Sequence, residues 1–456
     1  MKARLSEIAG ALDGRLSGAD AECSDVSIDT RSLAGGELFV ALPGEHADGH
    51  DFLPQALAAG AAGALVSRDV GAGDLPRVRV ADTRRGLGEL GLWWRRRHEV
   101  AMTAVTGSNG KTTVKEMLSA ICRGAGPTLA TEGNLNNDLG VPLTLSHLAP
   151  GHRYAVIEMG ANHAGEIAYL AELAQPQVGV VTNAAAAHLE GFGSLEGVAR
   201  AKGELFEHLP GDGVAVINAD DRFASLWHEL AGRRRVISFS LRAPADVTAR
   251  PDGPGAVLET PVGPIRFRPA LPGRHNLANA AAAAAAALAM RLGPVHIQHG
   301  LENVTPVDGR LRLLKCPAGF EVIDDAYNAN PASLAAGIDF LLTRPGEPWL
   351  VLGEMAELGG DALSRHADAG RRARRAGVRR LFTIGTPTRA AAEAFGEGAE
   401  HFEDQRALIA ALRERAHPDV SCLVKGSRRA AMDRVVAALM ESNGNNGNLI
   451  HASGGA

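Results

Sequence analysis

The segment VTGSNGKTTVKEM, residues 105–117, constrains this chain more than any other. An apolar run ending at Val105 enters two glycines three residues apart, then Lys-Thr, then a stretch with helical periodicity from about Thr113. A strand, a glycine loop and a helix in that order build a phosphate site. Gly107 and Gly110 let the backbone around Ser108 and Asn109 curl, so that several N–H groups point inward. The helix N-terminus adds partial positive charge. Lys111 reaches the outer phosphates of a nucleotide, and the Thr112 hydroxyl is placed to hold Mg²⁺. The spacing is the short G-x-x-G-K-T form, because Val105 stands where the longer pattern G-x-x-x-x-G-K-[ST] has its first glycine. A flexible Gly/Ser loop is the plain alternative, and the flanking strand and helix argue against it.

A parallel sheet covered by helices is the fold that such a loop requires, and the rest of the chain supplies it. Short apolar runs at 37–42, 63–66 and 78–80, broken by Gly, Pro and Asp, predict a small α/β domain ending near Asp82. An arginine-rich helix then leads to strands at 100–105, 154–158, 178–182 and 214–217, alternating with helical stretches. A third set, at 320–323, 350–353, 380–384 and 422–424, predicts a second, smaller open α/β domain. The reading is α/β in three domains, 1–82, 83–312 and 313–442, followed by a tail, 443–456, without periodic apolar residues and expected to be disordered. The alanine run 280–287 is too short to span a bilayer and reads as a tightly packed helix.

Composition removes other classes. With 456 residues the chain holds two or three cores, and a net charge of -5 gives no basic footprint for nucleic acid. Cys23, Cys122, Cys316 and Cys422 form no C-x-x-C pair, which argues against a zinc site or a disulfide framework and fits a reducing cytoplasm. The first residues, MKARLSEIAGALDG, read as a short amphipathic helix, so neither export nor stable membrane insertion is expected.

Acidic and basic residues fall near the same sheet edge. Glu158 closes the run YAVIE, so its carboxylate is expected at the carboxyl end of a strand, where open α/β sheets bind ligands. His188, beyond the next strand, is within reach of the same crevice; each alone is as easily a surface or structural residue. Lys202, at a helix start, would by itself be a solvated lysine.

The order of TGSNGKTT, GNLNNDLGVP, IEMGANHAGEI, AAAAHLEGFGS, ARAKGELF, GRHNLANAAAA, DGRL, DDAYNANPAS, GEMAELG and VKGSRRAAM resembles the Mur ligases along nearly the whole chain. GNLNNDLGVP, GANHAGEI, HLEGFGS, DDAYNANP and VKGSRRAAM are most similar to the member that adds D-alanyl-D-alanine. The D-[ND]-P-R motif of the diamino-acid-adding member is absent. The resemblance implies an N-terminal UDP-binding domain, a central ATPase domain and a C-terminal Rossmann-like domain that closes on the substrates. It implies that residues 107–113 bind ATP phosphates, that Thr112 and Glu158 ligate Mg²⁺, and that His188 supports a second Mg²⁺. Lys202 matches a lysine carbamylated in the family; a carbamate turns a cation into an anion that can brace the second metal. Asn279 matches the adenine reader, Arg310 an arginine on the terminal phosphate, and Asp325 a carboxylate near the ribose. The simpler roles for the first two are a cap on the alanine helix and an ion pair. Thr30 and Arg31 fall where the uridine diphosphate is expected, and Asn328 and Lys425 where the peptide substrates are. The implied substrates are ATP, UDP-N-acetylmuramoyl tripeptide and D-alanyl-D-alanine, on a monomer. A diamino-acid-adding ligase, or a P-loop NTPase switch that turns over nucleotide without an acceptor, are the competing readings.

Overall fold

The computed structural model describes residues 1–68, 73–186 and 189–441, so the expected tail lies outside the described residues. Its contacts divide the chain into two compact units. One comprises Met1–Ala184, Ser194–Pro272 and Asn276–Val304, the other Ala185–Gly193, Gly273–His275 and Thr305–Ala456. The chain is α/β throughout, with one larger sheet in each of the three stretches expected to be domains.

The N-terminal sheet runs Arg15–Ser17, Arg77–Arg79, Gly63–Val66, Leu38–Val40, Val26–Ser27, parallel except for its first pair. Phe39, Leu53, Ala64 and Val66 form a core on one face. Asp82 accepts the N–H groups of Arg84 and Arg85 and so starts the helix Thr83–Arg95 where the sequence placed a domain change. Glycines let this helix lie close to the central part, for a Cβ at Gly91 would sit 2.9 Å from Pro142 Cα.

The central sheet has nine strands, seven of them parallel from Thr128–Ala130 at one edge through Tyr154–Glu158, Ala101–Thr106, Val178–Val181, Val214–Asn218 and Arg235–Ser240 to Val247–Asp252. The parallel strands read as apolar runs because both faces are covered. Gly255–Glu259 and Ile265–Phe267 extend the sheet antiparallel, an addition the sequence reading did not anticipate. The helix Arg274–Ala289 contains the alanine run, and Ala280–Ala287 are all buried, as a tightly packed helix requires.

In the second unit the sheet order is Arg312–Lys315, Glu321–Asp325, Val420–Lys425, Glu347–Gly353, Arg380–Ile384, Ala399–Phe402, parallel after the first pair. Separate apolar clusters line its two faces, the pattern of an open, doubly covered sheet. The four cysteines are buried thiols. Among the described residues no helix is long and apolar enough to cross a membrane.

Candidate active site

Strand Ala101–Thr106 delivers the chain to the carboxyl edge of the central sheet, and helix Lys111–Ala125 leaves it there. Between them Gly110 has φ 81° and Gly107 φ 142°, left-handed conformations that favour glycine. A Cβ at Gly107 would collide with Thr182 Oγ1, and one at Gly110 would stand 2.5 Å from Asn279 Oδ1. Both glycines are therefore fixed by conformation and by close approach.

The loop is tied down by residues that follow the neighbouring strand Val178–Val181. Ser108 N–H donates to Asn183 O at 2.9 Å, Asn109 N–H to Asn183 Oδ1 at 3.0 Å, and Thr182 Oγ1 to Asn109 O at 2.6 Å. Lys111 Nζ donates to Gly107 O at 2.8 Å, so the ammonium stays over the loop. Thr112 stands in the first turn of the helix beside it.

Glu158 ends the strand paired with Ala101–Thr106 and lies opposite Val105 in register. Its side chain is buried: Oε1 accepts from Asn136 Nδ2 at 2.7 Å, and Oε2 has no hydrogen-bond partner. Asn136 belongs to GNLNNDLGVP, and its backbone carbonyl also receives Gly160 N–H at 2.8 Å. Neither Asn136, within that string, nor Thr182 and Asn183 stood out in the sequence. Their signal was position alone, since each lies in a turn that leads into or out of this sheet edge.

Lys202, expected to be solvated on its own merits, is 2% exposed. Its Nζ donates to Ala161 O at 3.2 Å. Burial, then the charge of Lys111, pull its pKa down to about 7, against the opposing influence of Glu166 and Glu204. The amine thus shares an electrostatic environment with the lysine of the phosphate loop. His188 lies outside the described residues. Among the described residues no group of three or more His, Cys, Asp or Glu side chains is arranged around a metal position.

Asn279 comes to the phosphate loop from helix Arg274–Ala289, with Nδ2 donating to Asn276 Oδ1 at 3.0 Å. It sits in the second turn of that helix, so it is no N-cap. In the N-terminal sheet, Thr30 and Arg31 form a 3₁₀ turn at the strand carboxyl edge. The Arg31 guanidinium is forked onto Asp29 at 2.7–3.2 Å, which holds that carboxyl at about 2.

In the second unit, Arg310 lies 4.2 Å above the Tyr327 ring. Lys425 forms a buried ion pair with Asp325 and donates to Asn328 O at 3.0 Å. Burial lowers the Lys425 pKa while Asp325 opposes the shift. The structure thus joins Asp325, Asn328 and Lys425 in one network at adjacent strand ends.

The sequence matches three family models: "Mur ligase family, catalytic domain" over residues 22–91, "Mur ligase middle domain" over 105–287 and "Mur ligase, glutamate ligase domain" over 309–428. It is 46% identical over 446 residues to the UDP-N-acetylmuramoyl-tripeptide--D-alanyl-D-alanine ligase of Escherichia coli K12, covering 96% of this chain and 98% of that one. The enzyme of the same name from Mycobacterium tuberculosis H37Rv is 35% identical, over 96% and 97% of the two chains. A crystal structure of MurF from Acinetobacter baumannii superposes with a TM-score of 0.91 at 36% identity, over 97% of this chain and 99% of that one. The fold is also that of the MurF ligase from Thermotoga maritima in complex with ADP, with a TM-score of 0.80 at 24% identity over 91% and 97% of the chains.

Proposed function

The chain belongs to the Mur ligase family, and from its likeness to the D-alanyl-D-alanine-adding ligases over nearly its full length we infer that it is the ATP-dependent, ADP-forming ligase joining D-alanyl-D-alanine to UDP-N-acetylmuramoyl tripeptide. The product is the UDP-muramoyl pentapeptide from which peptidoglycan is built. The observation that carries the reading is the phosphate loop with Lys111 and Glu158 on one sheet edge, in a chain alike to such ligases over nearly its full length.

A carboxylate is a poor electrophile, so the tripeptide carboxylate first takes the γ-phosphoryl group of ATP, giving an acyl phosphate and ADP. Two anions meet in that step. The N–H groups of the loop and the Lys111 ammonium offset their repulsion, and we assign Arg310 the same duty at the terminal phosphate. The dipeptide amine then attacks the acyl carbon, phosphate leaves with its electron pair, and the amine loses a proton. Asn279 is assigned to adenine, Asp325 to the ribose side, Thr30 and Arg31 to the uridine diphosphate, and Asn328 and Lys425 to the peptide substrates. For Arg31 to meet a diphosphate it must share its guanidinium with Asp29.

Mg²⁺ fits the residues present, because Glu158 Oε2 is a buried anionic oxygen without a partner and Thr112 offers a hydroxyl at the loop. When bound, Mg²⁺ screens phosphate charge. A second ion is assigned to His188 and a carbamate on Lys202. An amine held near pKa 7 is partly neutral at cellular pH, able to attack CO₂ and release a proton. The carbamate nitrogen keeps one N–H with which to donate to a carbonyl such as that of Ala161. Full activity of Lys202→Ala without added bicarbonate would remove this assignment.

ATP and UDP-linked substrates suit a cytoplasmic reaction, and we take the enzyme to act as a monomer. We propose domain boundaries at 82/83 and 312/313; the first strand of the third larger sheet, Arg312–Lys315, begins one residue before the second of these. The deciding experiment is phosphate release from ATP with UDP-muramoyl tripeptide and D-alanyl-D-alanine, diaminopimelate, L-lysine or no amine, with product mass as confirmation. Turnover only with the dipeptide is expected. Turnover with a free diamino acid and the UDP-muramoyl dipeptide would move the chain to the diamino-acid-adding branch, and amine-indifferent hydrolysis would mean a nucleotide switch.

A further inference from the structure

Helix Glu166–Ala174 begins just after the turn that leaves Glu158, yet its own sequence gives it no N-terminal cap. The residue at that position is Gly165, with φ 85° and no side chain. Glu166, in the first turn, faces backward: it accepts Asn162 N–H at 2.8 Å and meets His163 Nδ1 at 3.0 Å. The donors at the start of the helix are met from another helix. Glu204, on Leu195–Glu207, accepts Gly165 N–H at 2.8 Å with one carboxylate oxygen and Ala168 N–H at 3.1 Å with the other. A carboxylate at this place satisfies two orphaned N–H groups and meets the positive end of the helix dipole.

The same helix carries Lys202, whose Nζ holds Ala161 O. The turn between Glu158 and helix Glu166–Ala174 is therefore gripped at one end by Lys202 and at the other by Glu204. The helix that grips it is itself seated tightly. A Cβ at Gly203 would overlap Leu230 and come within 3.1 Å of Trp227 Cδ1, and Trp227 Nε1 donates to Ala199 O at 2.9 Å.

We propose that Glu204 is a positioning residue for ligation, acting through Lys202: by capping helix Glu166–Ala174 from outside, it keeps the carbonyl of Ala161 where the Lys202 nitrogen meets it. The inference rests on the ligase reading given above and assigns a role to a residue that reading did not use. Without Glu204 the first turn of the capped helix frays, Ala161 loses its fixed place, and the Lys202 head group loses its direction beside the phosphate loop. Glutamine retains one acceptor oxygen and so one of the two bonds.

A double-mutant cycle separates action through Lys202 from a general loss of structure. Glu204→Ala, Glu204→Gln, Lys202→Ala and the double variant Lys202→Ala/Glu204→Ala are compared in kcat for dipeptide-dependent phosphate release, well below the melting temperature of each. Glu204→Ala is expected to lower kcat by about tenfold in the parent and by less than about twofold in the Lys202→Ala background, with Glu204→Gln intermediate and the KM for ATP nearly constant. Equal factors in the two backgrounds would overturn the proposal, as would a parent-like Glu204→Ala. If the parent releases phosphate without the dipeptide, the ligase reading fails; the cycle is then run on that release, and the same comparison of factors decides the inference.

Discussion

A carboxylate oxygen buried without a partner, as Glu158 Oε2 is, costs free energy until a cation or a donor meets it. Glu158→Gln is therefore expected to raise the Mg²⁺ concentration for half-maximal turnover by about tenfold or more while leaving the melting temperature unchanged or slightly higher. Metal titrations beside thermal melts check this, and an unaltered Mg²⁺ requirement would sink it. Lys202 makes a second statement at this scale. Its pKa of about 7 lies far below 10.5, so between those values the unfolded chain binds the extra proton and folding stability rises with pH. In CO₂-free buffer, chemical denaturation at several pH values across that window should show the parent gaining on Lys202→Met as pH rises. A constant difference would mean that the amine is not held in this way. The phosphate residues were legible in the sequence because the backbone itself sets their spacing, from Gly107 to Thr112. Asn136, Thr182 and Glu204 were not, because each finds its partner across tens of residues and only the fold brings them together.

Among the elements, the packing of helix Pro294–Asn303 on helix Lys111–Ala125 bears most directly on the phosphate loop. The two approach so closely that a Cβ at Gly300 would lie 2.5 Å from Ile121 Cα. Gly300→Val is expected to destabilise the protein by about 1–3 kcal/mol through overpacking. Urea unfolding should show a lower midpoint with an unchanged slope, and a parent-like midpoint would mean that the helices part without cost. The parallel strands could be read from sequence because burial on both faces leaves an unbroken apolar run, as in Val178–Val181. The antiparallel extension and the strand it pairs with could not: Val247–Asp252 carries Arg250, Pro251 and Asp252 on exposed positions, and Gly255–Glu259 is reached through a two-residue turn inside a polar stretch.

For the molecule as a whole, tryptophan placement offers a handle. Trp93, Trp94 and Trp227 belong to the unit that carries the phosphate loop, and Trp349 to the other. Trp349→Phe confines tryptophan fluorescence to the first unit. Its melt in Mg²⁺ and ATP at a hundredfold excess over Kd is expected to show roughly 2.7 kcal/mol of added stability. No shift would mean that the loop does not bind nucleotide. Three sheets were legible as three spaced sets of apolar runs, yet contacts gather the first two into one unit. The reason lies in pairs such as Glu7 with Arg97 and Asp25 with His147, which join distant stretches and leave no local pattern.

The buried alanine run of helix Arg274–Ala289 bears on how this gene can drift. Eight successive alanines, 280–287, have no exposed side to relax into. A larger side chain has nowhere to go, and glycine would loosen the helix by about 1 kcal/mol at each step. Alanine codons tolerate any third base, so the DNA here is free to change at every third position while the protein it spells stays fixed.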